Sequence, residues 1–165
     1  VEAHRNASCL RASRELLATG VVDDLLIGDP FASKEELQAV ADACRGVPLA
    51  VRFVAAPGIT GQEREIVFGG IHHARPDEAA DAIRSQTSRE MATPGAKVPA
   101  RPQELRRRLA VTVDNENYQR YSGELQLVTR DLPEDPRVNV AGWVHPDDAW
   151  KVAVITPGSD FYFTE

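Results

Sequence analysis

Glu124-Leu125-Gln126-Leu127-Val128 alternates polar and apolar side chains with a period of two. That period places Leu125 and Leu127 on one face of a strand and Glu124 and Gln126 on the other. Around it, strands are expected at 109–113, 123–129, 138–144 and 161–164, with Asp131-Leu132-Pro133-Glu134-Asp135-Pro136 as a turn. A small antiparallel barrel or sandwich accounts for this set. Before it, the proline-rich stretch from Thr93 to Pro102 reads as surface loop, and Asp77 towards Ile83 reads as a short helix entered through Pro76.

The first 55 residues have a different rhythm. Ser8 can cap a helix that runs to about Thr19 and stops at Gly20, with Leu10, Leu16 and Leu17 on one side. Val21 to Ile27 reads as a short buried strand closed by Gly28-Asp29-Pro30. Ser33-Lys34-Glu35-Glu36 is a capping box for a helix to about Cys44, whose apolar stripe is Leu37, Val40, Ala41 and Cys44. Leu49 to Val54 is the next strand. This α-β-α-β order is the pattern of parallel strands with crossover helices, and Pro57-Gly58-Ile59-Thr60-Gly61 marks a boundary after it.

The chain has 165 residues, with 19 Lys and Arg against 25 Asp and Glu, hence a formal net charge of −6. Its length predicts one domain or two small ones. With 42% hydrophobic and 27% charged residues it is neither a disordered tail nor a disulfide miniprotein. The acidic balance argues against nucleic acid as a partner, since Arg106-Arg107-Arg108 is too short to track phosphates. No apolar run approaches the roughly 20 residues of a membrane-spanning helix, so no membrane partner is expected. Cys9 and Cys44 lack metal-ligand spacing and are expected as buried, reduced thiols. The start at Val1-Glu2-Ala3-His4-Arg5, without Met, reads as the interior of a longer fold.

Four clusters could carry chemistry. Asp29, after a strand, could contact a ligand or only organise its turn. Glu2, His4 and Arg5 could grip an anionic sugar or phosphate, or be plain surface polarity. In His72-His73-Ala74-Arg75-Pro76-Asp77, Arg75 suits a phosphate or carboxylate and Asp77 a helix cap; the alternative is an ordinary helix-entry turn. In Asp114-Asn115-Glu116-Asn117-Tyr118-Gln119-Arg120-Tyr121, amides, carboxylates and aromatic rings form the mixture that binds sugars, or an Asx-turn with packed tyrosines. Phosphate loops, nucleophile elbows and zinc signatures are absent.

Taken in order, Ile27-Gly28-Asp29-Pro30-Phe31-Ala32-Ser33 with Glu35-Glu36-Leu37, Ile71-His72-His73-Ala74-Arg75-Pro76-Asp77, Ile83-Arg84-Ser85, and Val113-Asp114-Asn115-Glu116 through Tyr121-Ser122-Gly123-Glu124-Leu125-Gln126 form a pattern. It resembles the 6-phospho-N-acetylmuramidase (MupG-like) family, long described as bacterial outer surface proteins. The resemblance covers essentially the whole chain, and its most specific part is the segment from Asp114 to Gln126.

It implies an α/β plus β architecture: C-terminal βα units of a TIM-type barrel over residues 1–57, then a cyclophilin-like β-barrel domain over 58–165. The implied activity is cytoplasmic cleavage of phosphorylated N-acetylmuramyl disaccharides in cell-wall recycling. The family's catalytic carboxylates lie on earlier barrel strands, so no catalytic residue, metal or cofactor is assigned here, and the isolated chain is expected to be inactive. Carried over, Glu2, His4, Arg5 and Asp29 would border the barrel mouth. His73, Arg75, Arg84, Asn115, Tyr118, Tyr121 and Glu124 would line the β-domain face that covers it, with Arg75 or Arg84 on the phosphate or lactyl carboxylate. Parallel strands taken from a barrel expose unpaired edges, so the chain is expected to associate, for instance as a homo-oligomer, to rearrange, or to belong with further chain. One rival reading is a non-catalytic carbohydrate- or protein-binding β-domain. Another is a metal-dependent hydrolase using His4, His72, His73 and Asp29.

Overall fold

The computed structural model describes residues 2–28 and 30–165, and the chain divides into two compact units, Val1–Val47 and Pro48–Glu165.

In the first unit, a single 3-10 turn at Glu2–His4 precedes helices α1 (Cys9–Leu17) and α2 (Lys34–Cys44), which pack on one another. Ser8 caps α1 through a bond from the Arg11 amide at 3.3 Å. The α2 capping box is complete: Ser33 accepts from the Glu36 amide at 3.2 Å, and the Glu36 carboxylate accepts from the Ser33 amide at 2.8 Å. Both donors would otherwise be orphaned at a helix start. The Arg14 guanidinium donates to the carbonyls of Asp42 and Val47, tying α1 to the chain leaving α2. Burial is the largest influence on Arg14 and lowers its pKa, against the opposing pull of Asp42.

Three expectations fail in this unit. Residues 21–28 form no strand, and Val21 and Leu26 are 82% and 95% exposed, because an extended segment needs partner strands and none pairs with it among the described residues. The face that α2 buries centres on Ala43 rather than Leu37, which is exposed. Cys9 is only half-buried and Cys44 is exposed, both as free thiols: Cys44 lies at the solvent side of the last turn, beside the buried Ala43.

The second unit contains β1 (Leu49–Ala55), α3 (Gly61–Phe68), β2 (His72–His73), β3 (Ala82–Arg84), α4 (Ser88–Met91), β4 (Ala110–Asp114), β5 (Leu125–Val128), β6 (Val138–Val144), α5 (Ala149–Ala153) and β7 (Asp160–Thr164). They build one seven-stranded sheet in the order β2-β7-β1-β6-β4-β5-β3. The sheet curls until its two ends meet. Ala74 and Ser85 form an isolated bridge, Arg75 N–H donates to the Arg84 carbonyl at 2.9 Å, and Gln86 N–H to the His73 carbonyl at 2.8 Å. That stitching satisfies backbone groups that two open edges would leave bare.

The unit boundary therefore lies ten residues before the one expected at 57/58. Leu49–Ala55 pairs in parallel with β7 and antiparallel with β6, so it belongs to this sheet and not to a crossover unit with 21–27. The helix expected from Asp77 to Ile83 is likewise replaced. Ala82, Ile83 and Arg84 pair with Val128, Leu127 and Gln126, and this ladder outcompetes the local helical tendency of Ala79-Ala80.

In β5 the apolar face is as expected, with Leu125 and Leu127 fully buried, but the other face is covered as well, since Val128 and the preceding Glu124 are also buried. Leu125 and Leu127 join Val51, Ile66, Val67, Val111, Val113, Phe161 and other buried apolar groups inside the curl. Phe53, Phe161 and Phe163 meet edge to face, with Phe53 and Phe163 centroids 5.8 Å apart. Gly142 is required where β6 crosses β1, since a Cβ there would lie 2.3 Å from the Val54 carbonyl oxygen.

Candidate functional site

The junction of the two sheet ends positions the densest charged group. Residues Arg75 and Arg84 are held side by side by their backbone bond. Both guanidinium groups turn to one carboxylate. Arg75 Nε donates to Asp77 Oδ1 at 2.8 Å and Nη2 to Oδ2 at 3.1 Å; Arg84 Nη2 donates to the same Oδ2 at 2.6 Å and to the Asp77 carbonyl at 3.1 Å. The Arg75 hydrogen bond is the main reason the Asp77 carboxyl is held below its ordinary range, and the same bond raises Arg75. Glu124, 5% exposed just before β5, reaches within 3.9 Å of Arg75 Nη1, and Tyr121 lies within electrostatic reach of the same guanidinium. Arg84 Nε is buried without a hydrogen-bond partner among the described residues.

Two hollows flank the Arg75–Asp77 pair. One, of about 260 Å³, is lined by Arg84, Ile83, Thr129, Val152 and Ile155 among others. The other, of about 270 Å³, is lined by Ser85, Gln86, Arg89 and Glu124. Arg75 and Asp77 line both.

Next along the sheet, the Asp114–Gly123 backbone closes tightly: Gly123 N–H donates to the Asp114 carbonyl at 2.8 Å. Gly123 has φ +90°, a backbone conformation that favours glycine. The Asp114 carboxyl is 2% exposed, and its Oδ1 finds no hydrogen-bond partner among the described residues. Burial first, then the negative charges of Glu124 and Asp135, push its pKa up to about 8, against the opposing Arg106 and Arg137. This shift favours the protonated form near neutral pH. Across the short helical loop, Tyr118 and Tyr121 meet edge to face at 5.3 Å, with Arg137 4.4 Å over the Tyr118 ring. Gln119 holds φ 52°, ψ −111° between them, a left-handed backbone that L-residues seldom adopt.

The candidates from the sequence thus divide. Arg75, Arg84, Glu124 and Tyr121 come together. Asn115 is fully buried and structural: its amide donates to the Pro136 carbonyl and to Asn139 Oδ1, and its oxygen accepts from the Asn117 amide as in an Asx-turn. His73 pairs with Asp160 across β2 and β7. In the first unit, Glu2 pairs with Arg5 at 2.8 Å on the surface, and His4 with Glu15 at 2.8 Å. Asp29 lies outside the described residues.

Asp77, read as a helix cap, is instead the partner of both arginines; with β3 in place of a helix there is nothing for it to cap. A second internal network escaped the sequence reading. Glu63, fully buried, accepts from Arg101 Nη1 at 3.2 Å and from Asn139 Nδ2 at 3.0 Å, while Asn139 Oδ1 accepts from Asn115. Its one legible sign was Thr60-Gly61-Gln62-Glu63, a capping box that the structure forms completely.

Of the residues named in the metal-hydrolase reading, His72 is committed elsewhere. Among the described residues no three His, Cys, Asp or Glu side chains are grouped to hold a metal ion. His72 is fully buried with both ring nitrogens engaged, Nε2 with the Val67 carbonyl at 3.1 Å and Nδ1 with the Ser85 hydroxyl at 3.0 Å. Burial lowers its pKa. No helix among the described residues is long and apolar enough to cross a membrane.

Residues 49–164 match a family model described as 6-phospho-N-acetylmuramidase, C-terminal, and residues 1–42 match its companion, 6-phospho-N-acetylmuramidase, N-terminal. The interval between the two matches contains the boundary at Val47/Pro48. An uncharacterized Bacillus cereus protein of known structure is 26% identical, with a TM-score of 0.73 over 100% of this chain and 47% of that one. A conserved protein of unknown function from Enterococcus faecalis is 30% identical, with a TM-score of 0.72 over 99% of this chain and 43% of that one. The chain spans less than half the length of these two structures. No curated protein matches it.

Proposed function

The chain belongs to the 6-phospho-N-acetylmuramidase family, and from that premise we propose that it is the substrate-holding portion of a glycoside hydrolase that cleaves phosphorylated N-acetylmuramyl disaccharides in cell-wall recycling. In this reading the first unit is the last part of a TIM-type barrel and the second a cyclophilin-like β-domain. The cyclophilin-like label describes a fold and carries no prolyl isomerase activity. A cytoplasmic setting goes with it, supported by two cysteines that remain unbridged.

The observation that carries the reading is the convergence of Arg75 and Arg84 on a single carboxylate. In a chain of net charge −6, two guanidinium groups aimed at one point suit a phosphate or a lactyl carboxylate. Glu124 and Tyr121 beside them suit sugar hydroxyls and a ring face. Bond cleavage is assigned elsewhere. Glycoside hydrolysis needs two carboxyl groups flanking the scissile bond. Asp114 does keep a proton at neutral pH, as a general acid must, but at 2% exposure it does not reach a substrate.

The test is kinetic, in a full-length enzyme that contains this chain. Arg75→Ala and Arg84→Ala are expected to raise KM for the phosphorylated disaccharide with kcat little changed. An unchanged KM in both variants refutes the reading.

A further inference from the structure

We propose that the Asp77 carboxylate is an internal stand-in for the ligand's anionic group, and that a bound phosphate or carboxylate displaces it from Arg75 and Arg84. The proposal rests on reading that arginine pair as the anion site, and it names what controls access to it.

Geometry makes the case. Asp77 takes the two-nitrogen fork of Arg75 and a third bond from Arg84, the arrangement an external oxyanion would adopt. It sits in the 76–81 connection, outside helix and strand, with its side chain 55% exposed. Turning it outward breaks no ladder hydrogen bond. Arg75 and Asp77 line both flanking hollows, of about 260 and 270 Å³, so the pair stands where the two adjoin. Moving Asp77 aside joins a partly apolar recess, walled by Ile83, Val152 and Ile155, to a polar one holding Gln86 and Glu124.

Charge supplies the selectivity. With Asp77 in place, Arg75 and Arg84 are balanced by Asp77 and Glu124, and the site offers an anion no net attraction. Once Asp77 leaves, one positive charge is in excess. A neutral sugar gains nothing by displacing Asp77. A small inorganic anion meets the displacement cost without filling the hollows. An anionic sugar can do both.

The experiment is a titration of the full-length enzyme that contains this chain, and of its Asp77→Asn and Asp77→Ala variants, with N-acetylmuramic acid 6-phosphate, followed by calorimetry. N-acetylmuramic acid and N-acetylglucosamine 6-phosphate separate carboxylate from phosphate recognition, and N-acetylglucosamine is the neutral control. Both variants should bind the anionic sugar roughly tenfold more tightly, because the competent state no longer has to be released, and the neutral sugar no better. Unchanged or weaker binding in the variants, with the unmodified chain binding, overturns the Asp77 proposal and leaves the anion site standing. No anionic sugar bound by any of the three chains overturns both.

Discussion

Arg84 Nη2 lies 2.6 Å from Asp77 Oδ2, the same oxygen that Arg75 Nη2 reaches at 3.1 Å, while only Arg75 also engages Oδ1. The two arginines therefore hold one carboxylate unequally. Arg75 uses a planar fork and Arg84 a single nitrogen on that group.

The inequality predicts different costs for keeping the charge and losing the fork. Arg75→Lys should weaken binding of N-acetylmuramic acid 6-phosphate by roughly tenfold, and Arg84→Lys by about two- to threefold. Equal losses, measured by calorimetry, contradict the assignment of the fork to Arg75.

Asp114 sets a pH dependence of stability. Its folded-state pKa of about 8 stands above the ordinary 3.8, so the folded chain binds the proton more tightly than the unfolded one. The associated stability is complete below about pH 4 and is lost as pH rises through 8, at no more than about 1.4 kcal/mol per pH unit. Asp114→Asn should flatten this decline. Urea midpoints from pH 5 to 9 for both chains test it, and parallel curves refute it.

Asp148 acts in the opposite direction. Burial opposes its charge, but hydrogen bonds from the Arg52 side chain and backbone and from Lys151 outweigh it and bring the pKa to about 2. Its contribution is present above the ordinary 3.8 and disappears as pH falls through 2. Asp148→Asn should cost about 1–3 kcal/mol at pH 7, with the difference shrinking in acid. A constant difference down to pH 2 contradicts this.

Arg101→Ala should be more damaging than its single charge suggests, because it strands the fully buried Glu63 with only neutral donors. A loss of about 3 kcal/mol is expected. The double variant Arg101→Ala with Glu63→Gln should recover part of it in chemical denaturation. No recovery means the pair's charge is not the cause.

Gly142→Ala places a Cβ 2.3 Å from the Val54 carbonyl and 2.4 Å from the Phe53 ring, so it should cost about 3 kcal/mol or abolish folding. Gly61→Ala meets nothing within 4 Å in the first turn of α3 and should stabilise by about 0.4–1 kcal/mol. Thermal melting of the pair distinguishes packing from backbone freedom.

Local signals were legible wherever the partner lay within a few residues. Ser8 and Ser33 announced their helices because a capping bond closes within three positions. Leu125 and Leu127 announced β5 because alternation is a property of one strand. Asp77 was misread for the converse reason: whether it caps a helix or clamps two arginines depends on β3 pairing with β5, more than forty positions away. The Glu63, Arg101, Asn115 and Asn139 network went unread because its members lie up to 76 positions apart and meet only in the folded chain.

By itself the sequence determined the starts of α1 and α2, five of the strands, the acidic balance and the family pattern, all of which arise from near neighbours, composition or residue order. Only the tertiary structure decided that Leu49–Ala55 belongs to the β-sheet, that 21–28 pairs with no strand among the described residues, and that Arg75 and Arg84 share one carboxylate. Strand pairing and buried charge are settled by contacts between distant segments. Their free energy exists only once the sheet has curled and its ends have met.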